Sequence, residues 1–121
     1  MQLQVLLVAG THGNEINGIF LFDQWEKSPL LINTHGIKTC KIIGNPEAQK
    51  AGKRYIHQDL NRSFREESLL AINSSKYEEK RANELVNLYG EAGENPCQIA
   101  LDFHTTTASM GSCMVVYGRR P

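Results

Sequence analysis

Gln4-Val5-Leu6-Leu7-Val8-Ala9 constrains this chain more than any other stretch. Beyond its first member the run is continuously apolar and rich in β-branched residues. A strand with one wet face would alternate polar and apolar residues. This one does not, so it reads as a parallel strand covered on both faces. The Gly10-Thr-His-Gly-Asn-Glu15 turn follows, with Gly10 and Gly13 opening backbone paths closed to other residues. Over residues 15–25, Ile16, Ile19, Phe20, Phe22 and Trp25 fit a helix with a broad buried face, ended by Ser28-Pro29.

The alternation continues. Thr39-Cys40-Lys41-Ile42-Ile43-Gly44 reads as a second strand, stopped by Asn45-Pro46. Residues 47–65 are polar without a sustained period, as in a long functional loop with short helical turns. Ser75-Lys76-Tyr77-Glu78 has capping-box spacing and opens a helix. Its Tyr77, Ala82, Leu85, Val86 and Tyr89 share one side, and Gly90 is a suitable stop. Residues 98–103 and 112–117 read as a third and a fourth strand. This order predicts an α/β fold with a mainly parallel or mixed sheet flanked by helices. At 121 residues the chain suits one domain, ~100–150 residues being the commonest size.

In that frame two polar segments come to corresponding places. Thr11-His12-Gly13-Asn14-Glu15 and Asp102-Phe103-His104 both sit just past the carboxyl ends of strands, where open α/β sheets place their ligands. His12 and Glu15 are spaced i, i+3 across a tight turn and can converge on one point. With His104 they offer two imidazoles and a carboxylate, the donor set of a catalytic zinc site that leaves a position for water. Asp102, two residues earlier on the same strand, shares a face with His104 and can accept the ring N–H of a ligating histidine. HxxE alone is a weak signal, and the plainer reading is a set of unrelated loop polar groups. Its pairing with a DxH at a second strand end favours the metal and metal-assisted hydrolysis.

Arg54 and Asp59-Leu60-Asn61-Arg62 concentrate charge in the long loop. Arginine presents a planar fork suited to carboxylates, yet composition alone favours an ordinary solvated loop. His35 and His57 lack partner spacing and read as structural. Thirteen basic and thirteen acidic residues cancel, so no global field draws nucleic acid or an anionic membrane. No apolar stretch approaches the ~20 residues of a membrane span, and no secretory leader is visible. Cys40, Cys97 and Cys113 are odd in number and lack CxxC spacing, which reads as free thiols in a reducing, cytoplasmic setting.

Four stretches, in order, nearly span the chain: Gly10-Thr-His-Gly-Asn-Glu-Ile-Asn-Gly18; Gly44-Asn-Pro46; Arg54-Tyr55-Ile56 with Asp59-Leu-Asn-Arg-Ser-Phe64; and Asp102-Phe-His-Thr-Thr-Thr107 through Met110-Gly111. With these the chain resembles the amino-terminal part of the aspartoacylase and succinylglutamate desuccinylase family of zinc-carboxypeptidase-like enzymes. Arg-Tyr-Ile before the third motif and Met-Gly after the fourth resemble its aspartoacylase branch. The resemblance implies one zinc per chain held by His12, Glu15 and His104, and hydrolysis of a small anionic N-acyl amino acid, N-acetyl-L-aspartate foremost. It implies that Arg54 polarises the scissile carbonyl and that Asn61 and Arg62 hold a substrate carboxylate. Succinylglutamate or another N-acyl amino acid is the alternative substrate, as is a zinc exopeptidase activity, and a metal-binding module without catalysis is the alternative role. Self-association is left open. The family's glutamate base and its β-rich C-terminal domain would lie beyond Pro121. Glu66 and Glu67 lack a motif to place them as substitutes, so the chain reads as a truncated part of a longer enzyme.

Overall fold

The computed structural model describes residues 2–32, 35–71 and 73–116. Three strands, β1 (Leu3–Ala9), β2 (Ile37–Ile43) and β3 (Ile99–Asp102), form a sheet in the order β2-β1-β3. Both pairings are parallel, with Leu3 opposite Ile37 and Val5 opposite Ile99. The apolar run is thus the central strand. Side chains alternate across it, and each face finds its own cover. On one face Val5, Leu7 and Ala9 pack with Phe22 of helix α1 (Asn17–Lys27). On the other, Ile42 of β2 meets a cluster of Leu60 with Ala82 and Leu85 of helix α4 (Tyr77–Tyr89). Fully burying such a side chain contributes about 1.5–3 kcal/mol, so the two layers hold the strands in one register. The carboxyl ends of β1 and β3 therefore lie side by side.

Between these layers the chain departs from expectation in four places. Helix α1 starts at Asn17 rather than Glu15, because Glu15 closes a tight turn on His12 through a 3.1 Å backbone bond. Its buried face is also narrower: Ile16 and Phe20 are 72% and 61% exposed, while Phe22 is buried. Residues 47–65 carry the short helical turns expected of the polar loop. Asn45 caps helix α2 (Pro46–Ala51) by accepting the Ala48 N–H at 3.1 Å, and Gly52, at φ 62, ends it. A 3-10 turn at Leu60–Arg62 follows, capped by Asp59, and then helix α3 (Glu66–Leu70).

The third departure is the capping box. Lys76, not Ser75, precedes the first turn of α4, and its own side chain makes no capping hydrogen bond. Glu78 instead turns inward, is 0% exposed, and accepts hydrogen bonds from Asn45 Nδ2 and from the backbone N–H groups of Ile56, His57 and Gln58. Three backbone donors and an amide outcompete the helix's own first turn for this carboxylate. The fourth is the final strand. Residues 112–116 are irregular and exposed, pairing with nothing described, and Tyr117 lies outside the described residues. Cys40, Cys97 and Cys113 are free thiols. Among the described residues no helix is long and apolar enough to cross a membrane.

Candidate metal centre at the carboxyl edge of the sheet

Where β1 ends, Gly10 turns the chain at φ 66, a left-handed conformation that other residues adopt only at a cost. Backbone bonds from Gly44 N to Ala9 O (2.8 Å) and from Asn45 N to Gly10 O (3.0 Å) pin that turn to the end of β2. Gly13 is required for a different reason: a Cβ there would collide with the Ala48–Gln49 peptide. The turn delivers His12 and Glu15, both buried, to the sheet edge. From β3 the chain brings Asp102 and His104. Between them Phe103 anchors the strand end in an aromatic cluster with Phe22 and Trp25, at ring distances of 6.3 and 6.1 Å.

The two imidazoles meet at one carboxylate. His12 Nδ1 lies 2.8 Å from Glu15 Oε1, and His104 Nδ1 lies 3.1 Å from Glu15 Oε2. One ligand atom from each of the three residues falls within 4.8 Å of the others. The far side of each ring is backed by an aspartate: His12 Nε2 is 3.0 Å from Asp59 Oδ1, and His104 Nε2 is 2.8 Å from Asp102 Oδ2. If each Nε2–H is donated to its aspartate, both Nδ1 lone pairs and the Glu15 carboxylate become three acceptors facing one another. A cation resolves that arrangement, and two nitrogens with one carboxylate oxygen suit zinc. The residues fit the metal that the motif reading assigned to them.

Hydrogen bonds outside the triad set its geometry. Thr105 N donates to Glu15 Oε2 at 2.9 Å, Thr11 Oγ1 to Asp102 Oδ1 at 2.8 Å, and Asn17 Nδ2 to the His104 carbonyl at 3.1 Å. Burial raises the Glu15 pKa, but the Thr105 N–H and the two histidines outweigh it and hold the carboxyl below its ordinary value. Asp59 follows the same pattern: burial is overcome by His12, the Asn61 N–H and Arg54. His104 is pushed up to about 9, first by its hydrogen bond to Asp102, against partial burial and with the Glu15 charge adding.

The triad opens onto a cleft of about 500 Å³ that Arg54, Asn61 and residues 105–107 also line. Arg54 reaches Asp59 Oδ2 at 3.4 Å and is otherwise half exposed, and the Asn61 amide nitrogen lies 3.3 Å from His104 Nε2. Arg62 is exposed and is not among the lining residues. The structure thus brings together His12, Glu15, His104, Asp102, Arg54 and Asn61, and leaves Arg62 at the outside of the same 3-10 turn. Asp59 and Thr11 were missed as functional groups. Asp59 had a signal, since it heads the Asp-Leu-Asn-Arg motif; Thr11 had none beyond its place beside His12. His57, expected to be structural, accepts the Tyr77 N–H at 2.9 Å.

Residues 1–121 match the succinylglutamate desuccinylase/aspartoacylase catalytic domain along their whole length. The chain belongs to this family. Among curated relatives, a protein named "Probable aspartoacylase" from Prochlorococcus marinus (strain NATL2A) is 82% identical over 119 residues, 98% of this chain and 39% of that protein. One of the same name from Synechococcus sp. (strain CC9605) is 52% identical over 117 residues, 97% of this chain and 38% of the relative. Murine aminoacylase 3 superposes with a TM-score of 0.78 at 34% identity, over 91% of this chain and 37% of that one. The succinylglutamate desuccinylase of Chromobacterium violaceum gives 0.67 at 29%, over 86% and 34%. This aspartoacylase/desuccinylase chain therefore spans about two-fifths of the length of its curated relatives. Its parallel sheet flanked by helices is the zinc-carboxypeptidase-like architecture of these neighbours.

Proposed function

We propose that the chain carries the metal-binding part of a zinc-dependent amidohydrolase that cleaves N-acetyl-L-aspartate to acetate and L-aspartate. The observation that carries this reading is the convergence of His12, Glu15 and His104, each imidazole backed by its own aspartate. Bound there, zinc supplies Lewis acidity toward the acyl carbonyl and lowers the pKa of its water to ~7. The protein's own groups do the rest. Asp59 and Asp102 hold the two rings in the tautomer that turns Nδ1 toward the cleft. Arg54, half exposed and within reach of the same space, meets negative charge as it develops on the carbonyl oxygen. Asn61, in the cleft lining, and Arg62, exposed at its rim, are assigned a substrate carboxylate. Among the described lining residues Glu15 is the only carboxylate, and it is engaged by both histidines and Thr105. A cytoplasmic location goes with the three free thiols.

Zinc content tests the centre first. Purified protein should carry one zinc per chain, lost in His12→Ala and in His104→Ala, and stoichiometric zinc surviving in both variants would remove these residues from the site. Substrate class is tested in a protein of the relatives' full length, with acetate and succinate release measured over a panel of N-acyl amino acids. The desuccinylase reading, favoured by the Chromobacterium structure, expects succinate instead. In the same assay Arg54→Ala should lower kcat, and Arg62→Ala should mainly raise KM. Unchanged KM in Arg62→Ala would take it out of substrate binding.

A further inference from the structure

Helix α4 contributes nothing to the cleft lining, yet its Glu78 is among the most deeply buried side chains in the molecule. A carboxylate is expensive to bury, and one this enclosed persists only where its lone pairs are filled. Here they are filled by one short stretch of chain. Glu78 Oε1 accepts from His57 N at 2.7 Å and Gln58 N at 3.1 Å; Oε2 accepts from Ile56 N at 3.0 Å and Asn45 Nδ2 at 2.8 Å. Three consecutive backbone amides thus point at one side chain, and the next residue is Asp59. The anchorage continues: Gln58 Nε2 donates to Ser63 Oγ at 2.8 Å, and Ser63 Oγ donates to the Asp59 carbonyl at 3.0 Å. On the other side of the stretch, the Arg54 carbonyl accepts from Gly13 N at 3.2 Å, beside His12.

We infer that Glu78 is a positioning residue for the metal centre, holding residues 56–58 so that Asp59 meets His12 Nε2 and Arg54 faces the cleft. This rests on the reading of His12, Glu15 and His104 as a zinc site. The carboxylate suits the task because it satisfies four donors at once, which no neutral side chain of its size does. Asn45 ties the anchor to the end of β2, and Arg81, one turn along α4, donates from Nε to the Gly44 carbonyl and from Nη2 to the Ile43 carbonyl, both at 2.9 Å. The helix therefore references the loop to the sheet edge from which His12 departs.

The test uses protein of the relatives' full length, with zinc as the probe. Glu78→Gln puts an amide NH2 against backbone donors; Glu78→Asp keeps the charge with a shorter reach. Val5→Ala, a core truncation at the opposite end of β1, serves as a control that destabilises without touching the loop. Zinc affinity is measured by chelator competition, well below each variant's Tm. Loss of an outer partner of a ligating histidine costs 10–100-fold in metal affinity. Glu78→Gln should lose zinc affinity by about that factor, Glu78→Asp by less, and Val5→Ala not at all. In the parent, the amides of Ile56, His57 and Gln58 should exchange with deuterium as slowly as those of α4, although they lie in a loop. A folded Glu78→Gln protein with parental zinc affinity, or rapid exchange at these amides in the parent, overturns the assignment. A parent that binds no zinc overturns the metal-centre reading itself, and the role of Glu78 with it.

Discussion

At Glu15 one carboxylate serves two imidazoles and a backbone N–H, and the aspartates behind the rings decide which nitrogen of each faces it. That division of labour makes Asp59 as informative as His12, Glu15 and His104 themselves. Asp59→Asn keeps the size of the side chain but offers His12 Nε2 an amide in place of a carboxylate. Zinc affinity should fall about 10–100-fold with the fold intact, as read by chelator competition and circular dichroism. Parental affinity in that variant would show that the His12 tautomer is fixed by something else. The convergence of His12, Glu15 and His104 was legible in the sequence because each stands at a fixed offset from a strand end. Asp59 was not, because its partner is 47 positions away and the pairing depends on how the loop is held. Arg62 teaches the converse: a charge inside a strong motif can still stand at the rim, since a 3-10 turn points successive side chains in different directions.

Elements differ in how far local sequence specifies them. β1 could be read directly, since a fully apolar run has few other fates. Helix α4 was found from its spacing, but its opening was misread: Ser75 and Glu78 have the spacing of a reciprocal cap, while the four donors that claim Glu78 come from elsewhere in the chain. Helix α2 and the Asp59-capped turn are the short helical turns expected in the long loop, each spanning too few residues for a period to fix its bounds. The buried Glu78 makes a prediction about acid. Burial raises its pKa, but the Ile56, His57, Asn45 and Gln58 donors outweigh that and leave it below its ordinary value of 4.5. A carboxyl depressed in the folded state stabilises above its unfolded pKa and stops doing so as pH falls through the folded one. Removing the charge leaves buried donors unpaired at about 1–3 kcal/mol each. The stability gap between parent and Glu78→Gln, from urea unfolding, should be widest near neutral pH and shrink below about pH 4.5. A gap independent of pH would mean that the charge contributes nothing.

Over the whole molecule, cover is unevenly distributed. Helices sandwich β1, but β3 is an edge strand of the described sheet, and its Ile99 and Leu101 share the face of Val5 and Leu7 while remaining 44% and 39% exposed. Close in sequence, Met114, Val115 and Val116 are at least 70% exposed. Residues 112–116 have the composition of a strand but do not pair with this open edge. Composition marks such a run as strand-prone without deciding whether it joins the sheet. An uncovered edge flanked by apolar side chains is a template for pairing between molecules. The 121-residue chain by itself should therefore self-associate, seen as concentration-dependent light scattering. Ile99→Lys puts a charge at the start of that edge, away from Asp102 and His104, and should suppress the scattering while leaving far-ultraviolet circular dichroism and zinc content unchanged. A parent chain that stays monomeric across the concentration range would mean that the exposed β3 edge is protected by its own twist and short length.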